Sequence, residues 1–221
     1  MGKRISLARF TKADIVWMDN HYCKHHHRYT EHPSCYVKEQ EPKQKIGFFD
    51  IETSNLKANF GIILCYSIKE LDGPITSRVI TKKELNKDLD RELVIQCVKD
   101  IQKFDKIMGY FSTRFDLPYL RSRALIHNID FPQYGELYHE DVYYTARSKL
   151  CLHSNRLGVV EEVLLGETRK TAIDQKHWVK ALMGDKDALD YILDHNIRDV
   201  KSLEDVWKKL NCFKAESNRS I

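Results

Sequence analysis

Ile46-Gly-Phe-Phe-Asp-Ile-Glu-Thr53 is an apolar run that carries two carboxylates, Asp50 and Glu52, two residues apart. In a β-strand, residues i and i+2 leave the same face, so both acids project together. Burying two like charges side by side is costly unless something positive holds them. Divalent cations are common partners for such a pair, and oxygen ligands of this kind suit Mg²⁺ or Mn²⁺. The same stretch could instead be a surface strand with two solvated acids. The rest of the chain decides between the two.

Downstream, Ile62 to Lys69 and Ser77 to Ile80 read as two further strands, with an Asp72-Gly73-Pro74 turn between them. The period then changes. Leu89, Leu93, Cys97, Ile101 and Phe104 mark one face of a helix, Lys106 to Phe111 a fourth strand, Leu117 to His127 a helix with Pro118 in its first turn, and Leu137 to Val142 a last strand. From Tyr143 onward the pattern is helical, broken at Gly158, Gly166 and Gly184, and ends in a long helix from Asp187 to about Leu210. The expected fold class is α/β: a mixed sheet of three antiparallel strands followed by parallel strands, flanked by helices.

Upstream lies a different kind of sequence. The first 45 residues hold nine Lys/Arg against five Asp/Glu, while the remainder is balanced, so the whole net charge of +4 belongs to this extension. A basic appendage is compatible with a polyanionic partner and equally with ordinary solvated charge. Asn20 to Tyr36 packs five histidines and two cysteines into seventeen residues. Cys23 with one of His25, His26 or His27, then His32 and Cys35, offers the two thiolates and two imidazoles preferred by structural zinc, and a zinc knuckle is expected here. A His-rich surface loop is the rival reading. Val37 to Lys45 reads as a linker. The domain plan is an extension over 1–45, an α/β domain over 46–213 and a tail over 214–221.

At 221 residues and 42% hydrophobic, the chain can bury one sizeable core. It has no apolar run of about 18 residues and no signal-peptide pattern, so the expectation is a soluble cytoplasmic protein with no membrane partner. Cys65, Cys97, Cys151 and Cys212 sit in apolar or helical patterns and read as reduced core thiols. Trp178 and Trp207 read as core.

Two more acids sit where this architecture can aim them at the first pair. Asp116 stands at the junction of the fourth strand and its helix, and Asp199 follows His195 by one helical turn. With these residues in place, the chain resembles the DEDD superfamily of 3′→5′ exonucleases, which have the RNase H-like (DnaQ-like) fold. Phe49-Asp-Ile-Glu-Thr53 is similar to the first motif, Tyr110-Phe-Ser-Thr-Arg-Phe-Asp-Leu-Pro-Tyr119 to the second and His195-Asn-Ile-Arg-Asp-Val200 to the third. Within the superfamily it resembles most the phage and bacterial exonucleases of the YprB-like group.

The resemblance implies a phosphodiesterase in which Asp50, Glu52, Asp116 and Asp199 bind two Mg²⁺ or Mn²⁺ ions about 4 Å apart. His195 would orient or deprotonate the attacking water, at a spacing where the family more often has tyrosine. The implied substrate is single-stranded DNA or RNA with a 3′ end. Thr53, Leu56, Tyr144, Asn155 and Arg156 are candidate substrate contacts, within a wider aromatic and basic set that includes Tyr143, Arg147, Lys149 and Lys170. The extension could hold substrate or a protein partner. Two alternatives stay open: a structure-selective endonuclease on the same fold, and a non-catalytic binding adaptor.

Overall fold

The computed structural model describes residues 6–39, 44–169 and 174–213. The chain forms two compact units, Met1–Lys43 and Gln44–Ile221.

In the first unit, helix α1 (Lys12–Asn20) opens on a capping box in which Thr11 and Asp14 satisfy each other's backbone N–H groups. Helix α2 (Pro33–Glu39) begins on a proline, whose missing N–H costs nothing at that position. It therefore occupies the start of the expected linker, and residues 40–43 lie outside the described residues. The buried apolar set is small: Met18, Cys23, Tyr29 and Cys35, with Leu7, Phe10 and Tyr36 packed against it.

The second unit is built on a five-stranded sheet of β1 (Ile46–Thr53), β2 (Ile63–Glu70), β3 (Ile75–Val79), β4 (Lys106–Gly109) and β5 (Tyr138–Asp141). Their order is β3-β2-β1-β4-β5. The first three are antiparallel neighbours; β4 and β5 run parallel to β1. Short turns permit the former pairings, and helical crossovers are needed for the latter. The expected mixed sheet is thus the observed one.

Alternation along β1 assigns its two faces. Phe49 and Ile51 pack with Leu93, Val94, Cys97 and Ile101 of α4 (Arg91–Ile101) and with Leu117 and Leu120 of α5 (Asp116–Ile126). Phe48 points the other way, against Val142 and Ala146 of α6 (Val142–Lys149), Val160 of α7 (Leu157–Leu165) and Leu203 and Val206 of the long α9 (Lys186–Leu210). Each fully buried Val, Leu, Ile or Phe among them contributes roughly 1.5–3 kcal/mol. Asp50 and Glu52, in step with Phe48, therefore face α9.

Several expectations need correction. The helix expected along Leu89 to Phe104 is α4, which starts only at Arg91 because Leu89 takes a left-handed conformation at φ 54°, and the Lys-rich stretch before it forms a separate helix, α3 (Lys82–Lys87), not expected from the sequence. Gly158 does not break helical structure but sits in the first turn of α7, whereas Gly166 caps that helix at φ 77°. Gly184, at φ 74°, separates α8 (Gln175–Leu182) from α9. Cys65 and Cys97 are buried, but Cys151 and Cys212 are exposed, since Cys151 stands just past α6 and Cys212 lies in the 3-10 turn Asn211–Phe213 that follows α9, neither on the apolar face of an α-helix. Trp178 and Trp207 are half-buried and pack against core clusters. Residues 214–221, the expected tail, lie outside the described residues. Among the described residues no helix is long and apolar enough to cross a membrane.

Candidate active site

Helix α9 buries Ala188, Leu189, Ile192, Val200, Leu203, Val206 and Leu210 along one stripe, the spacing of a helix laid on a sheet. Midway, the stripe is interrupted by His195 and Asn196, both buried. They lie over the acidic end of β1. Asn196 Nδ2 donates to Asp50 Oδ2 at 2.6 Å. His195 Nε2 stands 3.8 Å from Glu52 Oε1 and 3.8 Å from Asp199 Oδ2. Ligand atoms of Glu52, His195 and Asp199 all lie within 4.8 Å of one another.

Asp116 arrives from the other side of β1. It is buried, and its Oδ1 accepts the backbone N–H of Ile51 at 3.1 Å. The loop that delivers it is sharply turned. Phe111 is left-handed at φ 61°, a conformation costing an L-residue roughly 1–2 kcal/mol. Asp141 offsets that cost by accepting from Phe111 N at 2.8 Å and Thr113 N at 2.9 Å. At Gly109 a Cβ would come within 1.9 Å of Ser112 Oγ, so the close approach of strand and loop requires glycine there. Asp141 and Asn196 are positioning residues that chemical type alone did not single out.

Burial, followed by the charges of Asp116, Asp199 and Glu52, pushes the Asp50 carboxyl well above its usual range; the Asn196 hydrogen bond opposes this. Burial likewise pushes Asp116 up to about 7, against the backbone N–H bonds that lower it. The Cys65 thiol, paired across the ladder with Glu52, is raised by burial and by the same acids, and is no nucleophile. Asp50 and Asp116, whose ionisation is suppressed by burial and by neighbouring acids, together with Glu52, Asp199 and the His195 imidazole, fit a hard divalent cation by charge and by donor type.

This arrangement has a measurable consequence without metal. The folded chain holds the Asp50 and Asp116 protons more tightly than the unfolded chain, where carboxyls ionise near pH 3.8. Between about pH 4 and 7 the native state therefore binds more protons, and stability falls as pH rises. Thermal melts in buffer without added divalent cations should show this decline, with Mn²⁺ restoring more stability at pH 8 than at pH 5. Asp116→Asn should flatten the slope; an unchanged slope would contradict the assignment.

The remaining sequence candidates are dispersed along the chain. Thr53 is buried, its hydroxyl donating to Asn55 O at 3.0 Å. Leu56 is 77% exposed in the loop after β1. Tyr144 is partly exposed and its hydroxyl accepts from Arg114 Nε at 3.4 Å. Asn155 O accepts from Tyr110 at 2.6 Å, while its buried Oδ1 has no hydrogen-bond partner among the described residues. Arg156 is exposed at the start of α7. Lys170 lies outside the described residues. In the first unit, Cys23, His25, His32 and Cys35 come together and His27 stays outside that set.

Residues 47–211 match the sequence profile of the RNase H superfamily. The chain belongs to the RNase H superfamily. With that membership comes the RNase H-like fold already described for the sheet and its helices. This RNase H superfamily chain is also similar in structure to the family B DNA polymerase from the hyperthermophilic archaeon Pyrobaculum calidifontis, with a TM-score of 0.64, 20% identity, and 78% of this chain covered. It spans 25% of that polymerase, and at this identity the likeness is one of fold. No curated protein matches the chain.

Proposed function

We propose that the chain is a metal-dependent 3′→5′ exonuclease that hydrolyses phosphodiester bonds of single-stranded DNA or RNA. The observation that carries this reading is the convergence of Asp50 and Glu52 from β1, and His195 and Asp199 from α9, with Asp116 entering from α5. The polarity rests on the resemblance of the three motifs, and so does a place near the YprB-like group.

Asp50, Glu52, Asp116 and Asp199 hold two Mg²⁺ or Mn²⁺ ions in this reading. When bound, the metals supply charge neutralisation for an anionic diester and activation of water. The chain's own groups do the rest. His195, buried and within 3.8 Å of two acids, orients the attacking water and accepts its proton. Asn196 fixes the Asp50 carboxylate and Ile51 N fixes that of Asp116, so the donors are aimed before substrate arrives. Thr53 and the exposed Leu56 contact the terminal nucleotide, and Tyr144, Asn155 and Arg156 the strand behind it. The first unit, basic by composition, helps hold substrate or a protein partner.

A time course on 5′-labelled single-stranded DNA and RNA with Mg²⁺ or Mn²⁺ tests the reading. A ladder shortening from the 3′ end is expected. Discrete internal cuts would favour an endonuclease, and intact oligonucleotides would leave only a binding role. His195→Ala should slow hydrolysis about 10²–10⁴-fold, the usual worth of general base catalysis, while Mn²⁺ binding measured by calorimetry persists. Unchanged turnover would move the base elsewhere.

A further inference from the structure

We infer that Cys23, His25, His32 and Cys35 form a closed structural zinc site, both histidines ligating through Nδ1, and that neither His26 nor His27 is a ligand. The four ligand atoms lie within 4.8 Å of one another. Cys23 Sγ is 3.8 Å from His25 Nδ1, and Cys35 Sγ is 3.4 Å from both His25 Nδ1 and His32 Nδ1. A tetrahedral zinc with bonds of about 2.3 Å to sulfur and about 2.0–2.1 Å to nitrogen sets its S···N edges near ~3.6 Å. The three edges bracket that value. Weak sulfur hydrogen bonds require contact only in pairs, whereas all four of these atoms are mutually within 4.8 Å, as the ligands of one ion must be.

The backbone explains the choice among five histidines. Cys23 and His25 flank a tight turn in which His26 N donates to Cys23 O at 2.8 Å and Cys23 N to His27 O at 2.9 Å. His26, at φ 64°, is the left-handed residue of that turn, and an antiparallel bridge between Tyr22 and Arg28 closes it. His32 and Cys35 come from the entry to α2, where Cys35 N donates to His32 O at 2.9 Å. Each half thus contributes one thiol and one imidazole. The His27 ring sits 5.0 Å from that of His32, outside the cluster.

Donor chemistry and core size point to zinc in a structural role. Two thiolates and two imidazoles suit zinc and not the hard cations of a carboxylate site, and four protein ligands leave no open position for chemistry. Both cysteines also belong to the unit's few buried residues. So small an apolar set does not hold a chain segment of this length without a cross-link, and a metal supplies that link.

Elemental analysis of the untagged full-length chain, purified under reducing conditions without chelator, tests the site. About one zinc per chain is expected, retained in His27→Ala and in Asp50→Asn but lost in Cys23→Ser and Cys35→Ser. Because those serine variants can lose zinc by misfolding, the parent chain reconstituted with Co²⁺ supplies a second readout. It should show thiolate-to-cobalt charge-transfer absorption that saturates near one equivalent. Substoichiometric zinc with no such absorption would overturn the site, and zinc loss in His27→Ala matching that in Cys23→Ser would overturn the ligand set. Stripping zinc should make bonds within residues 6–39 the first to yield to protease while the second unit persists; undiminished protection would overturn the structural role.

Discussion

Asp50→Asn is expected to slow hydrolysis severely and, in buffer without added divalent cations, to raise the melting temperature. The two effects share one cause. Asp50 is partly buried, and its charge is disfavoured by burial and by Asp116, Asp199 and Glu52. A cation relieves that arrangement, and without one it is a source of instability. Asparagine keeps the shape and can still accept from Asn196 Nδ2, which donates to Asp50 Oδ2 at 2.6 Å in the parent. It brings no charge to hold a metal. A loss on the order of 10³-fold in turnover is expected, comparable to removing a group that stabilises developing charge in other hydrolases. The oligonucleotide time course and a melt on the same preparation measure both quantities. Turnover within a few-fold of the parent would remove Asp50 from the metal site, and a lower melting temperature would contradict the electrostatic account. Stability gained where activity is lost is the mark of a site strained for function.

How far the sequence could be read depended on the kind of signal. The acids of β1 were legible because strand alternation ties Asp50 and Glu52 to one face whatever the rest of the fold does. The mixed sheet was legible because turn residues and the change of period separate direct pairings from crossovers. The start of α4 was not, since Leu89 is an apolar residue in a conformation that favours glycine. The same holds for Phe111, whose left-handed turn is supported by Asp141, thirty positions on, which accepts its N–H. No local pattern carries that bond. Asn196 left a fainter trace: a polar residue at a core position of the α9 stripe, between Ile192 and Val200, marks a helix that passes over something polar. In the first unit, cysteine and histidine density pointed to a metal, but only the geometry of a turn and a helix entry separates His25 from His27.

The largest effect on stability is expected away from the acids, at Asp90. Its side chain is fully buried and accepts from Arg123 Nε at 2.9 Å, Arg123 Nη2 at 2.5 Å and Ile63 N at 2.8 Å, with His127 Nε2 at 2.7 Å. Arg123 Nη1 also donates to Ala58 O at 3.0 Å, so one guanidinium ties the start of α4 and β2 to the loop that carries Leu56. Removing one member of a buried pair leaves an uncompensated charge, a loss of about 3–5 kcal/mol. For a unit of this size that corresponds to a fall in melting temperature of roughly 10 °C in Arg123→Met. Asp90→Asn/Arg123→Met should recover part of the loss, because it removes the stranded charge while an amide oxygen still accepts from Ile63 N. A single variant that loses less than about 1 kcal/mol, or a double variant no more stable than the single, would mean that water compensates Asp90 and that this network is not what holds the loop.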